Sequence, residues 1–207
     1  MKKLLHLIAT PRGADSDSLK VSQSFLDAFK RQKDWTVDTL DLTTTELPDL
    51  TAKRVDGKYT LLFGKDLTAD QLVAWKAIIA QIERFKAADA YLITTPMWNF
   101  TIPYTLKHYL DVILQPKYLF QYTATGPEGL LKNRKLIVVS SRGGDYSSPA
   151  MQKMDFVEPY LRQIAGFVGI TDVTFIKAEP MNMGEPMHTN ALDAAKKQAR
   201  AVAERGL

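Results

Sequence analysis

The chain alternates between short, continuous apolar runs and longer stretches in which apolar residues recur every three or four positions. Continuous runs are typical of buried strands, and the wider spacing is typical of helices with one buried face. The runs predict strands at residues 4–9, 90–95, 136–140 and 173–178. A fifth strand is predicted at residues 36–42, where alternating side chains indicate a half-buried strand at a sheet edge.

Apolar residues at helical spacing predict five helices. The first covers about residues 18–32, in which Val21, Phe25 and Phe29 are four positions apart. The others are predicted at about residues 72–85 and 101–114, around Leu161, Ile164 and Val168, and at about residues 189–205. Five strands alternating with five helices predict an α/β fold, with a five-stranded parallel sheet in the order 2-1-3-4-5 and helices on both faces.

Two segments fall outside this alternation. Residues 43–67 have little periodicity, and we interpret them as an excursion whose 59–63 portion is partly ordered. Residues 117–125, followed by Gly126-Pro127-Glu128-Gly129, indicate an extended or hairpin insertion. The chain has no linker, low-complexity tract or internal repeat, so residues 1–207 are predicted to form one domain.

Composition limits the classes of function. The 207 residues are 45% hydrophobic, which is enough for one sizeable core. The absence of cysteine excludes disulfides, thiolate metal sites and cysteine nucleophiles. The three histidines lack the spacing of a metal site, so no metal is expected.

Charge and hydropathy bear on partners and location. The formal net charge is +4, and Lys and Arg are interspersed with Asp and Glu, so no nucleic-acid partner is expected. No apolar run approaches the ~18 residues of a membrane span. The start of the chain leads into a strand pattern rather than a signal peptide, so we expect a cytoplasmic protein without a membrane partner.

The loop after the first strand offers hydroxyl groups and backbone N–H groups at the start of a helix, an arrangement that holds phosphate. It lacks both the G-x-G-x-x-G of dinucleotide folds and the Lys of a triphosphate loop, which favours a single monoester phosphate. The candidate residues are Thr10, Ser16, Asp17 and Ser18. The alternative is that Ser16 or Asp17 only caps the helix.

The loop after the third strand contains Pro96-Met97-Trp98-Asn99-Phe100. Asn99 offers a donor and an acceptor for the polar edge of a pyrimidine-type ring, while Trp98 and Phe100 offer flat apolar surface. Met97 is expected to supply a backbone N–H near that ring. The alternative is that Trp98 and Phe100 are core residues and that Asn99 caps the following helix.

The loop after the fourth strand contains Ser141, Arg142, Gly143 and Gly144. Paired glycines let the backbone approach a flat ligand, and their N–H groups are candidates to bond ring carbonyls. The alternative is an ordinary turn with Arg142 in solvent. Because the three loops lie at one sheet edge, we expect them to enclose one cofactor, and their contents fit a flavin.

These motifs together resemble the bacterial FMN-dependent NADH-azoreductases, also described as FMN-dependent NADH:quinone oxidoreductases, of the flavodoxin-like superfamily. The resemblance spans nearly the whole chain and rests on P-M-W-N-F with I-P-Y-T-L-K-H-Y-L-D, F-Q-Y-T-A-T-G-P-E-G-L, S-S-R-G-G and F-V-G-I-T-D-V. It implies a flavodoxin-like three-layer sandwich. It also implies that Thr10 and residues 16–18 hold the phosphate of FMN, residues 97–100 line the isoalloxazine, and residues 141–144 hold its other side.

The resemblance implies a ping-pong reaction in which NADH or NADPH supplies a hydride and a quinone or azo compound then takes two electrons. The flavin carries the chemistry, so no side chain is named as a catalytic acid or base. Phe120, Tyr122 and Tyr146 are candidates for the substrate pocket, with plain packing as the alternative. Members of this family commonly act as homodimers, so a homodimer is expected.

Some positions depart from the commonest family pattern. Trp98 stands where Tyr is frequent, Thr10 stands where Ser is frequent, and Arg12 either adds charge at the phosphate or is solvated. Residues 43–67 match weakly, which leaves substrate preference open. Two other functions stay open: an FMN electron-transfer protein, for which an acidic docking face is expected, and a general NAD(P)H:FMN reductase or nitroreductase-type enzyme.

Overall fold

The computed structural model describes residues 1–207, and five of its seven strands form one parallel sheet. The sheet order is β2-β1-β3-β6-β7, and β4 and β5 form a separate antiparallel hairpin. The strands are β1 (Lys2–Ile8), β2 (Trp35–Asp41), β3 (Ala90–Pro96), β4 (Phe120–Thr123), β5 (Gly126–Gly129), β6 (Lys135–Ser141) and β7 (Asp172–Ala178). The parallel sheet confirms the predicted α/β class, and its order agrees with the predicted one once the hairpin strands are set aside.

Seven α-helices connect the strands, and a short 3₁₀ turn at Gly13–Asp15 precedes the first. None of the helices combines the length and the apolar composition needed to cross a membrane. The helices are α1 (Asp17–Phe29), α2 (Ala52–Leu62), α3 (Ala69–Lys86), α4 (Tyr104–Ile113), α5 (Pro149–Gln152), α6 (Val157–Val168) and α7 (Met187–Arg205).

Alternate residues of the central strands point to opposite faces of the sheet, and each face has its own hydrophobic cluster. In β3, Tyr91 and Ile93 belong to a cluster with residues of α3, α4 and α6. Ala90 and Leu92 belong to a second cluster with residues of α1 and α7. Helices therefore cover both faces, which explains why the central strands read as continuous apolar runs.

Residues 52–62 form α2, so the ordered part of the 43–67 excursion begins well before the predicted residues 59–63. The helix is mostly polar, and its position depends on tertiary contacts with α3. A β-carbon at Gly57 would collide with the indole of Trp75, whose Nε1 donates a 2.9 Å hydrogen bond to the carbonyl of Arg54. A glycine inside a polar helix carries no apolar periodicity, so the sequence pattern could not reveal it.

The helix predicted at residues 101–114 begins later, because residues 98–101 form a tight turn. Trp98 and Thr101 exchange both backbone hydrogen bonds, at 2.9 and 3.0 Å, and the two residues between them have positive φ. Pro103 occupies the N-cap position of α4. The alternative in which Asn99 caps this helix is therefore wrong.

His6 lies in β1 and is almost fully buried. Its Nε2 is 2.7 Å from the hydroxyl of Thr94, which also contacts the hydroxyl of Ser22 on α1. Burial lowers the pKa of His6 from 6.5 to about 4, partly opposed by the charge of Asp41. The imidazole is therefore neutral in the folded protein at neutral pH.

We predict that His6 makes the fold acid-sensitive. The unfolded chain takes up a proton on this histidine near pH 6.5, whereas the folded chain resists it until about pH 4. The stability contribution is therefore present above pH 6.5 and is lost as the pH falls to about 4, by on the order of 3 kcal/mol. Urea unfolding across this window measures the slope, which should be shallower in His6→Gln; equal slopes in both proteins would contradict the prediction.

Candidate functional site

Four loops at the carboxyl edge of the sheet surround a cavity of about 150 Å³. They follow β1, β3, β6 and β7, so the cavity lies where doubly wound sheets bind ligands. Larger surface cavities of about 370 and 380 Å³ lie elsewhere, at the starts of β6 and β7 and beside α2 and α3. We take the smaller cavity as the site because polar groups from four loops converge on it.

The first wall is a cluster of three buried hydroxyl groups at the start of α1. Thr10 Oγ1 donates to Ser16 Oγ at 3.0 Å, and Ser16 Oγ lies 3.0 Å from Ser18 Oγ. Ser16 also caps α1 by accepting a 3.3 Å hydrogen bond from the N–H of Leu19, as the alternative expected. The backbone N–H groups of Asp17 and Ser18 have no partner within the chain, which suits an anion at this helix terminus.

The second wall is the turn at residues 98–101. Trp98 is 38% exposed and Phe100 is 42% exposed, so the alternative that both are core residues is wrong. Asn99 and Phe100 have φ values of 46° and 70°, and two successive positive φ values are typical of a type I′ turn. A bulky residue in this conformation is uncommon and costs about 1–3 kcal/mol, as is often found at functional sites.

Met97 lines the cavity, but its backbone N–H is not available to a ligand. It donates a 2.8 Å hydrogen bond to the carbonyl of Ser141 and so continues the pairing of β3 with β6. The expected Met97 donor is therefore wrong. The N–H groups of Asn99 and Phe100 have no partner within the chain and are the free donors of this loop.

The third wall is the turn after β6. A β-carbon at Gly143 would lie 2.8 Å from Nδ2 of Asn182, so the close approach of these loops requires glycine there. The N–H groups of Gly143 and Gly144 make no hydrogen bond within the chain, as expected for donors to a ligand. Ser141 ends β6 and also borders the cavity.

Arg142 is 1% exposed, so the alternative that it is solvated is wrong. Its guanidinium points into the protein, where Nη1 donates a 3.1 Å hydrogen bond to Glu179. Nη2 lies 2.9 Å from a carboxylate oxygen of Asp155, an ion pair that lacks hydrogen-bond alignment. Arg142 borders the cavity, and its side chain ties the β6 turn to two other loops.

The two ion pairs of Arg142 connect the loops that form the other walls of the cavity. Asp155 accepts a hydrogen bond from the N–H of Val157, the first residue of α6, and the neighbouring Phe156 N–H donates to the carbonyl of Phe100 at 2.9 Å. Glu179 begins the loop after β7, which returns two 2.9 Å backbone hydrogen bonds to the β6 turn. One buried guanidinium thus holds the relative positions of the second, third and fourth loops.

The fourth loop was not predicted from the sequence. Its residues Met181 and Asn182 line the cavity, and so does Pro96, which was not a candidate. Arg12 also lines the cavity and is exposed, so both alternatives given for it stay open. Residues 179–186 leave the carboxyl end of β7, which is the edge from which the other site loops emerge. That topological position was the available signal.

None of the aromatic substrate-pocket candidates lines the cavity. Phe120 is buried against Phe167 with ring centroids 4.5 Å apart, and Tyr146 is buried with its ring 5.9 Å from the guanidinium of Arg142. Tyr122 is exposed on the hairpin. Packing explains Phe120 and Tyr146 in this structure, and the substrate role of all three stays a prediction.

Comparison with known proteins gives one family and many relatives. A family described by a flavodoxin-like fold matches residues 2–203. The FMN-dependent NADH:quinone oxidoreductase of Nitratidesulfovibrio vulgaris (strain DP4) is 38% identical over 207 residues, covering 98% of this chain and 99% of the relative. The protein of the same name from Desulfotalea psychrophila is 34% identical over 206 residues, covering 99% and 97%.

Solved structures agree with these relatives. A crystal structure of azoreductase from Bacillus anthracis str. Sterne has a TM-score of 0.90 and 29% identity, and the match covers 99% of this chain and 100% of that one. The FMN-dependent NADH-azoreductase from Bacillus anthracis str. Ames Ancestor, solved in complex with FMN, has a TM-score of 0.88, 29% identity and 99% coverage of both chains.

We predict that Arg142→Met lowers the free energy of unfolding by about 3–5 kcal/mol, because it leaves two largely buried carboxylates without their cation. The matched control is Arg31→Met, since Arg31 pairs with Glu204 at 3.6 Å on the open surface. That change should cost less than about 1 kcal/mol. Urea unfolding at neutral pH measures both, and similar losses would contradict the central position given to Arg142.

Proposed function

We propose a function for this chain, which belongs to the family described by the flavodoxin-like fold. It is an FMN-dependent enzyme that uses NADH or NADPH to reduce quinones and aromatic azo compounds. The observation that carries the proposal is the cavity itself. Thr10, Ser16 and the start of α1 supply hydroxyl and N–H groups to one wall, and Gly143, whose N–H is free, belongs to another wall. We infer that the whole chain, 1–207, serves as one FMN-binding domain.

The residues present fit FMN. The phosphate matches the first wall, where Thr10, Ser16 and Ser18 offer hydroxyls and Arg12 adds positive charge. A cavity of about 150 Å³ is smaller than the ~300–1,000 Å³ of a site that encloses such a ligand. The isoalloxazine would therefore lie partly exposed, across the turn of Trp98, Asn99 and Phe100.

When bound, FMN supplies a ring that accepts a hydride and passes two electrons on. The chain orients the ring through the backbone donors of residues 99, 100, 143 and 144, and these N–H groups also stabilise negative charge on ring oxygens. Among the titratable residues that line the cavity, Arg12 and Asp17 belong to the wall proposed to hold the phosphate, and the Arg142 guanidinium is engaged by Asp155 and Glu179. This arrangement supports a reaction without a side-chain acid or base.

We propose that donor and acceptor use the same open face in turn, in a ping-pong order. Large apolar side chains stand exposed beside this face, including Phe100, Tyr104 and Phe156. Their exposure supports a homodimer in which a second copy covers part of the site.

We propose a cytoplasmic location and neither nucleic-acid nor membrane partners, in keeping with interspersed charges.

The proposal is tested with purified protein in two steps. Its absorption spectrum and an FMN titration should reveal bound flavin. Steady-state assays with NADH and NADPH, against a benzoquinone and an azo dye, should then give turnover with parallel double-reciprocal lines. Protein that binds FMN without turnover would be an electron carrier, and failure to bind FMN would contradict the proposal entirely.

We predict that Ser18→Ala weakens FMN binding by about 10–100-fold, the value of one hydrogen bond to a charged group. Ser18 is buried in the hydroxyl cluster, and its hydroxyl does not cap α1. Ser24→Ala is the matched control, because Ser24 lies half-buried further along the same helix, outside the hydroxyl cluster, and donates only to a backbone carbonyl. Riboflavin, which has no phosphate, should bind both variants and the wild type equally. An equal loss for FMN and riboflavin would contradict this phosphate position.

A further inference from the structure

An acidic side chain lies in the wall proposed to hold a phosphate. Asp17 is the first residue of α1, directly after Ser16 in the chain, and both residues line the cavity. Its backbone N–H suits an anion, but an ionised carboxylate in the same wall would repel a dianionic phosphate. Binding of FMN therefore requires that the negative charge of Asp17 be neutralised and held aside.

Two basic side chains meet this carboxylate, which is only 12% exposed. Lys20, one turn further along α1, places Nζ 3.1 Å from Oδ1. His188 places Nε2 3.2 Å from Oδ2 and belongs to α7, which packs along α1 on the same face of the sheet. The contact thus joins the first and last helices of the chain at the cavity.

His188 has a second acidic neighbour. Its Nδ1 lies 3.2 Å from Oε1 of Glu185, which also accepts a hydrogen bond from the hydroxyl of Thr189. The charged groups around the imidazole are therefore Asp17, with its partner Lys20, from α1 and Glu185 from the segment before α7. Ionised carboxylates only accept hydrogen bonds, so both contacts are satisfied only when both ring nitrogens carry a proton.

We propose that His188 is a positioning residue whose imidazolium form holds the Asp17 carboxylate away from the phosphate and neutralises it. Loss of one proton leaves a ring nitrogen lone pair facing a carboxylate, which releases one of the two contacts. Asp17 then keeps only the partly exposed Lys20 as its counterion. The inference rests on the proposed function, because it concerns the phosphate of the same FMN.

The proposed role of His188 makes FMN binding depend on pH. Raising the pH converts His188 to its neutral form, restores repulsion between Asp17 and the phosphate, and weakens FMN binding. Riboflavin lacks the phosphate, so its affinity should not follow the protonation of His188. The effect is specific to the phosphate end and does not require any change in the ring wall.

The experiment measures dissociation constants of FMN and riboflavin by flavin fluorescence between about pH 6 and 9, a window that includes the pH values at which histidine side chains in general change charge. The full chain is used as wild type, His188→Gln, His188→Lys, Asp17→Asn and the Asp17→Asn/His188→Gln double variant. Comparison at equal pH cancels the titration of the phosphate itself. Thermal melting of each protein confirms that it is folded.

His188→Gln should weaken FMN binding roughly tenfold at the low end of the range, the effect of losing one charge-assisted contact, and should flatten the pH dependence. His188→Lys should bind FMN tightly across the range, because lysine keeps its charge. Asp17→Asn should make binding independent of residue 188, so the double variant should match the single one. Riboflavin binding should be unchanged in all proteins.

Equal FMN affinities and equal pH profiles in wild type and His188→Gln would overturn the inference and leave the proposed function standing. A matching loss for riboflavin would also overturn it, because His188 would then act through the fold. Asp17→Asn supplies an independent test if His188→Gln fails to fold, since a pH profile unchanged by removing the carboxylate contradicts the mechanism. Absence of FMN binding in wild type at every pH would overturn both the inference and the proposed function.

Discussion

Parallel pairing in a fixed register brings the site loops of this chain to one edge of the sheet. Pro96 pairs with Ser141, and Ser141 pairs with Ala178, so three strands end at the same level. The carboxyl ends of parallel strands lie at the same edge of the sheet, so the loops that follow them lie next to one another there. The backbone donor of Met97 is used to extend this pairing. The free donors therefore belong to the turns just beyond the strands.

Loops that meet at an edge still need to be held, and a buried charge does this here. Arg142 satisfies carboxylates from two neighbouring loops, and the backbone bonds beside it couple the turn at Phe100 to the same group. Burying these charges is costly, so the arrangement contributes specificity of geometry more than net stability. Gly143 and Gly144, which follow Arg142, can then present their N–H groups although they have no side chains to pack.

The parts of the fold that sequence patterns could predict are those set by local periodicity. The buried strands and the stripes of α1, α3 and α6 bury continuous or evenly spaced apolar residues, so their pattern is visible in one dimension. Gly57 is different, because its reason for being glycine is the indole of Trp75, eighteen positions away. Arg142 likewise reads as a solvated turn residue, since both of its partners are distant in the chain.

The same distinction applies within the candidate site. Hydroxyls and paired glycines next to strand ends identify three loops, whereas Asn182 is placed by tertiary contacts with Gly143, through packing and a backbone hydrogen bond. On the proposed function, the phosphate end of the site is specified by charges and buried hydroxyls, and the ring end by backbone donors and exposed aromatic surface. Charged groups discriminate sharply, whereas backbone donors and flat apolar faces accept any planar partner. A site divided in this way retains one cofactor firmly while admitting chemically different flat acceptors, which is what reduction of both quinones and azo compounds requires.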